Sequence, residues 1–267
     1  MAKPYSILNT YAFIGMHIDL TDKVILVTGA SRGIGREIAK QLGASGATVA
    51  VHYGRSADEA ESLCSEIGNG ARIFQADLAN AEEANSLFSD VLAAYGKVDA
   101  LVNNAGIVIH APLDDDLDSW TADWDRTLNV NSRAAAILTR AAVPHFQERG
   151  VGHIVYMASR AAFRGDSEDY LAYAASKGAM VSLARSVARA FGKDGIKAFT
   201  VAPGFVRTAM AQDAIDAYGE EFVKGGIALD RLTEPADVAP MVVLLVSGLS
   251  DHATGTSIDI NAASYVR

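Results

Sequence analysis

Tyr173 and Lys177 stand four residues apart in the run YAASK. On a helix this spacing puts both side chains on one face. A free phenol, with a pKa of about 10, is a poor acid or base at neutral pH. A neighbouring ammonium stabilises the phenolate. The pair is therefore predicted to lower that pKa and to serve as proton donor to a ketone or base toward an alcohol. Ser159 follows the apolar run HIVYMA and offers a hydroxyl to a substrate oxygen. Asn131, in LNVN, falls inside a helical stretch that suits Asn poorly, which predicts a bent helix and a water-binding functional position. Each of these residues alone has an ordinary structural explanation: a surface helix pair, a strand-end hydroxyl, an exposed amide.

A second set of residues points to a phosphate-bearing ligand. The apolar run VILVT leads into Gly29-Ala30-Ser31-Arg32-Gly33-Ile34-Gly35 and then into a helix. Gly29 permits a tight strand-to-helix turn, Gly33 lets a pyrophosphate approach the backbone, and Gly35 lets the helix lie close to the sheet. The free N–H groups of a helix start favour an anion. The spacing is G-x-x-x-G-x-G, not the common dinucleotide G-x-G-x-x-G. The next strand ends VHYGRS, with no carboxylate before Asp58. Dinucleotide folds that take NAD commonly put an acid there for the ribose 2′-OH. Here Tyr53 and Arg55 occupy that end. Arg55 and Arg32 are suited to clamp a 2′-phosphate, with Ser31 and Ser56 as donors, which favours NADP(H) over NAD(H). Asp77, after ARIFQA, is either an acceptor for an adenine amino group or the N-cap of the following helix. Asn103-Asn104-Ala105-Gly106 ends a further strand with small residues that leave room for ribose and nicotinamide.

The elements that must carry these residues alternate. Strands are predicted at 24–28, 48–53, 71–76, 98–102, 153–157, 198–201 and 257–260, and helices at 36–44, 57–67, 81–95, 117–147, 170–191, 209–224 and 236–247. Continuous apolar strands between helices imply right-handed βαβ units and a parallel sheet covered on both faces. The expected fold is α/β: a single-domain, doubly wound Rossmann fold over residues 16–267, preceded by a 1–15 extension, with Met16 an alternative start. The chain has 267 residues, 50% hydrophobic and 21% charged, which suits one globular unit rather than a disordered or disulfide-stapled one. Its net charge of −9 argues against nucleic acid as a partner. No run reaches the roughly 18 apolar residues of a membrane span. The single Cys64 has no disulfide partner and no metal-ligand spacing around it, so a reducing cytoplasm and no metal are expected.

Together these motifs resemble the short-chain dehydrogenase/reductase family. The matches are TGASRGIG at 28–35, Asp77, NNAG at 103–106, Asn131, Ser159, YxxxK at 173–177, and Pro203-Gly204 with Thr208. They come in the family's order and cover the chain from about Asp19 onward. The resemblance implies a seven-stranded parallel sheet, usually assembled as a homotetramer. It implies Tyr173 as acid/base, Lys177 lowering its pKa and holding ribose, Ser159 positioning the substrate oxygen, and Asn131 anchoring a water. Cofactor contacts carried over by it are Gly29, Ser31, Arg32, Ile34, Asp77, Leu78, Asn104 and Val206. Gly33, Gly35, Ala105, Gly106, Pro203, Gly204 and Thr208 complete the motifs around them. An Arg before the second loop glycine is typical of the family's NADP users. The chain departs from the family's usual pattern in the charged run Arg160–Asp166, and in Ala262-Ala263 where Gly-Gly is common.

The expected activity is interconversion of a ketone and a secondary alcohol on a small molecule. The pattern is similar to 3-oxoacyl-(acyl carrier protein) reductases and to sugar, polyol and small-ketone dehydrogenases. An NAD-dependent sugar or polyol dehydrogenase, a non-catalytic dinucleotide sensor, and a dehydratase or epimerase that retains its cofactor stay open. Carrier-protein binding would use Arg149 and Lys193 beside the cleft, against an unfavourable overall charge. Residues 207–226 are expected to form a lid. Arg160, Arg164 and His110 are either solvated loop charges or a preference for an anionic substrate.

Overall fold

A computed structural model describes residues 18–209, 211–212 and 219–267. The 1–15 extension, and Met210 and 213–218 of the expected lid, lie outside them. Seven parallel strands form one sheet in the order β3-β2-β1-β4-β5-β6-β7. They are β1 (Val24–Val27), β2 (Thr48–Tyr53), β3 (Arg72–Gln75), β4 (Ala100–Asn103), β5 (Gly152–Met157), β6 (Ile196–Pro203) and β7 (Ser257–Ile260). The order reverses between β1 and β4, and a crevice opens there at the strands' carboxyl ends.

Side chains alternate across the sheet, and both faces are apolar. Ile25, Val27, Val49 and Val51 pack under α1 (Gly33–Ala44), α2 (Ala57–Ile67) and the late helix Pro235–Ser247. Leu26, Leu101, Ile154 and Tyr156 face α3 (Ala81–Tyr95), α5 (Ala134–Arg149) and α7 (Leu171–Phe191). The Tyr156 hydroxyl is buried but bonded to Thr139 Oγ1 at 2.7 Å. Glycine lets α5 approach β5: a Cβ on Gly152 would lie 2.2 Å from the Phe146 ring. Short helices α4 (Leu117–Leu128), α6 (Ala161–Arg164) and α8 (Glu220–Lys224) complete the chain, and Pro235–Ser247 is α9. Among the described residues no helix is long and apolar enough to cross a membrane.

The helical region expected at 117–147 runs unbroken from Leu117 to Arg149 but changes its winding at Asn131. α4 and α5 are separated by a π-helical turn, Asn129–Arg133, with Asn131 buried inside it. The two C-terminal alanines that stand where Gly-Gly is common keep a backbone conformation that favours glycine. Ala262 and Ala263 have φ of 51° and 56°, the left-handed region that costs a Cβ-bearing residue about 1–2 kcal/mol. The turn is held by Ala228 N–H donating to Ala262 O at 2.8 Å and by Asn261 Nδ2 donating to Tyr265 O at 3.0 Å. Ala262→Gly and Ala263→Gly should each stabilise the protein by about 0.5–1 kcal/mol, the relief of strain being partly offset by the freer unfolded chain. Urea unfolding would measure this, and unchanged midpoints would mean the turn relaxes without strain.

Candidate active site

The crevice is built on a close approach. The turn after β1 runs against the end of β4, and a Cβ on Gly29 (φ +61°) would lie 2.9 Å from Ala105 Cα. One on Gly35 would meet both Asn104 Nδ2 and Gly29 O at 2.4 Å. Polar groups join the two segments. Asn104 Nδ2 donates to Thr28 O (2.9 Å) and Gly29 O (3.1 Å). Asn104 N–H and Ala105 N–H donate to Thr28 Oγ1 at 2.9 and 3.0 Å. A third tie comes from His52, whose role the sequence reading missed. Gly29 N–H donates to His52 Nδ1 at 2.9 Å, and Nε2 lies 3.1 Å from Ala76 O. The neutral tautomer with its proton on Nε2 satisfies both contacts. Burial pushes this imidazole down to about 4, so it is neutral at physiological pH.

The remaining nucleotide-end residues divide. α1 begins at Gly33, three residues before the expected start. Its N-cap Arg32 gives no side-chain cap, unlike Asn80 and Asp116 at α3 and α4, so its first N–H groups face outward without a side-chain acceptor. Arg32 and Arg55 are exposed, and neither pairs with a described carboxylate, whereas Arg36 is tied to Glu66 at 3.0 Å. Asn80 caps α3 by accepting from Glu82 and Glu83 N–H, so Asp77 is not the cap; it is exposed, with Oδ1 accepting from Ala79 N–H. Tyr53 does not line this end. Alternation places it with Val49 and Val51 in the core beneath α1 and α2, while His52 faces the other way. Leu78 is buried in the opposite core. Ser31 and Ile34 sit in the turn and first helical residues. Thr208 folds back so that its Cγ2 lies 3.3 Å from where a Gly33 Cβ would be. Pro203 ends β6, Gly204 N–H donates to Ile260 O at 2.9 Å, and Val206 is buried in a bridge with Thr233.

At the chemical end, Tyr173 and Lys177 share α7 as expected, with Lys177 Nζ 5.7 Å from the phenol ring centroid. Lys177 is buried; Nζ donates to Met157 O at 2.8 Å and touches Met180 Sδ at 3.8 Å. Burial with no carboxylate beside it pulls its pKa down to about 8. Ser159 lies beside the Tyr173 hydroxyl and favours its ionised form. The expected lowering of the Tyr173 pKa is not what the folded site gives. Burial raises it, neighbouring Ser159 opposes that, and Asp166 adds to the rise. Nζ is drawn to the Met157 carbonyl instead of the phenol oxygen. Ser159 Oγ also accepts from Ala161 N–H at 3.1 Å.

Asn131 imitates a strand residue. Its Oδ1 accepts from Ile107 N–H (2.8 Å) and its Nδ2 donates to Ile107 O (2.9 Å). The same Nδ2 lies 3.0 Å from Ser176 Oγ, which donates to Tyr173 O at 2.7 Å. Ser176, not recognised from sequence, thus links the π turn to the tyrosine. Gly106 faces both sets, since a Cβ there would lie 3.2 Å from Lys177 Nζ and 3.3 Å from Asn131 Oδ1. Arg149 and Lys193 are not beside this cleft. Arg149 pairs with Asp99 at 2.7 Å and Lys193 precedes β6, both at the amino ends of the strands.

A phosphate-receptive turn and a Ser–Tyr–Lys constellation across one switch-point crevice define a nucleotide-dependent oxidoreductase. Residues 23–219 match the short chain dehydrogenase family. An uncharacterized short-chain type dehydrogenase/reductase of Sinorhizobium fredii is 34% identical over 254 residues, 92% of this chain and 99% of that one. The 3-oxoacyl-[acyl-carrier-protein] reductase of Staphylococcus aureus is 33% identical over 91% of this chain and 98% of its own length. Among solved structures, a short chain dehydrogenase from Burkholderia cenocepacia in complex with NADP is 36% identical with a TM-score of 0.82, covering 92% of this chain and 98% of its own. A putative NAD(P)-dependent gluconate 5-dehydrogenase from Beutenbergia cavernae with bound NADP is 33% identical with a TM-score of 0.86, covering 93% and 98%. The chain belongs to the short-chain dehydrogenase/reductase family, NAD(P)-dependent oxidoreductases acting on CH–OH and C=O groups.

Replacing His52 by Phe would leave Gly29 N–H and Ala76 O unpaired at a cost of about 1–3 kcal/mol. His52→Phe should weaken binding of the nicotinamide nucleotide roughly tenfold, a displacement of the turn worth about 1.4 kcal/mol, with kcat little changed. His52→Asn keeps an acceptor for Gly29 and should recover part of both losses. Fluorescence titration and urea unfolding read the two effects, and an unaltered dissociation constant in the Phe variant would remove His52 from cofactor positioning.

Proposed function

We propose that this chain is an NADP(H)-preferring oxidoreductase that interconverts a ketone and a secondary alcohol, with Tyr173 as acid/base. The observation that carries the reading is the placing of Tyr173 and the buried Lys177 on one face of α7, with Ser159 beside the phenol. Gly29, Ser31, Arg32, Gly33, Ile34 and Gly35 would receive the pyrophosphate, Arg32 and Arg55 the 2′-phosphate, and Asp77 with Leu78 the adenine. Asn104, Ala105, Gly106 and Lys177 would border the ribose and nicotinamide, and Pro203, Gly204, Val206 and Thr208 would close the other side. The fit rests on a cradle that a Cβ would fill, an uncapped helix start, and two exposed arginines without carboxylate partners. The NADP carried by two structural relatives accords with it. When bound, the cofactor supplies or takes the hydride.

The protein's own groups handle the proton. In reduction the Tyr173 hydroxyl gives its proton to the carbonyl oxygen while the Ser159 hydroxyl donates to the same oxygen. Negative charge developing there meets two oriented donors instead of reorganising water. The Lys177 ammonium favours the phenolate that remains. Asn131 and Ser176 hold α7 against the Ile107 loop, and Asn131 would anchor a water there. We assign the substrate to small carbonyl or alcohol compounds, the assembly to a homotetramer, and the unit to one domain over 16–267. The single Cys64 accords with the cytoplasm.

Tyr173→Phe should lower turnover by about 10²-fold or more and leave NADPH affinity within about twofold. A variant that retains turnover would remove Tyr173 from the acid/base role. Lys177 acts as an ammonium and loses its proton as pH rises through about 8. The kcat/KM for ketone reduction, which reports the free enzyme, should therefore fall above that pH; a flat profile would exclude Lys177 as the group controlling it. Arg32→Ala with Arg55→Ala should weaken NADPH binding about 10- to 100-fold and NADH binding little, as each removes a charge-assisted bond to phosphate. Equal losses for both nucleotides would show that these arginines do not choose the cofactor.

A further inference from the structure

Arg207 follows Val206, which bridges to Thr233, and precedes Thr208, whose Cγ2 lies 3.3 Å from where a Gly33 Cβ would be. It is therefore one residue from the contact with the phosphate-receptive turn. Its backbone is fixed, with Arg207 N–H donating to Thr233 O at 2.8 Å. Its guanidinium joins two carboxylates: Nε donates to Glu234 Oε1 at 2.9 Å and Nη2 to Glu220 Oε1 at 2.7 Å. Glu234 is the firm side of this bridge. It is the N-cap of α9, in a capping box with Asp237, and Val238, Ala239 and Val242 of that helix are buried in the core. Glu220 is the first residue of α8, which is five residues long. A single turn has little helical stability of its own, because nucleation is costly. Lys224 pairs with Glu220 at 3.0 Å and with Glu221 at 3.2 Å, and Gly225 N–H donates to Glu221 O at 2.9 Å. Those contacts set the winding of α8, whereas the Arg207 bridge ties it to α9 beside the nucleotide end. Exposed ion pairs add little to global stability, but a few of them suffice to choose the place of one turn.

We infer that Arg207 is a positioning residue for the nicotinamide nucleotide: it holds α8 at the nucleotide end of the crevice and so slows the nucleotide's release. A nucleotide seated on the Gly29–Gly35 turn has the Thr208 segment at its flank, and moving that flank with α8 requires the Glu220 pair to part. The inference rests on the nucleotide site assigned above and adds a residue that governs its kinetics.

Stopped-flow fluorescence reads release as NADPH or NADH is chased from the purified protein by excess oxidised nucleotide. Arg207→Gln and Glu220→Gln should each speed release about threefold or more, for both nucleotides. Arg207→Lys keeps a cation and should give an intermediate rate. The two Gln variants remove opposite charges, so their common direction is the signature of a clamp. Were Arg207 only a local cation for phosphate, Glu220→Gln would slow release, and that result would overturn the inference. Hydrogen exchange of the nucleotide-free protein reads α8 directly. Amides of 220–227 should exchange faster in both Gln variants, with the β-sheet at its wild-type rates. Unchanged exchange there, or unchanged release, would equally overturn the inference. If one Gln variant does not fold, the other decides together with Arg207→Lys. Release is measured without substrate, so a protein that binds nucleotide and turns over no carbonyl loses the oxidoreductase reading alone. A wild type that binds neither nucleotide overturns both.

Discussion

The nucleotide end depends on one steric constraint: the backbone turn after β1 must pass the end of β4 at contact distance. Side chains at Gly29 or Gly35 would prevent it. Contact alone would bury backbone carbonyls and amides that β-pairing no longer serves, and each such orphan costs about 1–3 kcal/mol. Thr28 and Asn104 answer that cost with one hydroxyl and one carboxamide. His52 does the same between the turn and the end of β3. The turn is therefore set by a closed hydrogen-bond system linking β1, β2, β3 and β4. Gly106, two residues beyond Asn104, carries that placement to Lys177 and Asn131.

The chemical end solves the opposite problem, holding polar groups ready without neutralising them. A carboxylate beside Lys177 would satisfy its charge and compete with any other partner. A single carbonyl, Met157 O, leaves the ammonium underpaired and its proton looser than in water. The π turn serves the same end. An α-helical path through Asn129–Arg133 keeps side chains on the 3.6-residue rotation, and one wide turn shifts Asn131 out of that series. Its carboxamide then pairs with the Ile107 backbone as a strand would. The loop after β4 is thereby fixed to the helix pair without a third sheet edge.

The inner strands were legible because they are largely apolar on both faces, a pattern that the edge strands β3 and β7 do not share. The glycine turn, Ser159, Asn131, Tyr173 and Lys177 were legible as types and spacings, and the folded chain brings the last four together. What a linear reading lacked was facing and competition. Tyr53 and His52 are neighbours in sequence, and only the alternation of β2 sends one to the core and the other under the turn. Asp77 and Asn80 are both able to cap α3, and Asn80 wins by position. Arg149 is at a helix end near β5 in sequence, but that end is the sheet's amino side, where Asp99 holds it. Spacing also suggests a charge effect of Lys177 on Tyr173 without showing that a carbonyl intercepts Nζ.

Charge placement follows from the same economy. The chain is acidic overall, and many of its cations are matched: Arg36 with Glu66, Arg207 with Glu220 and Glu234, Arg231 with Asp237, Arg267 with Asp259. Arg32 and Arg36 are one helical turn apart, yet among the described residues only Arg36 has a carboxylate partner. At long range the net charge of −9 repels anions. Within a Debye length of about 8 Å, unmatched cations with low-dielectric walls dominate the local field. Among the described residues, Arg32 and Arg55 at the nucleotide end and Lys177 at the chemical end have no carboxylate within ion-pair distance. An anionic ligand must thus cross a mildly repulsive surface to reach strong local donors. That arrangement favours ligands whose negative charges fall at those points over polyanions in general.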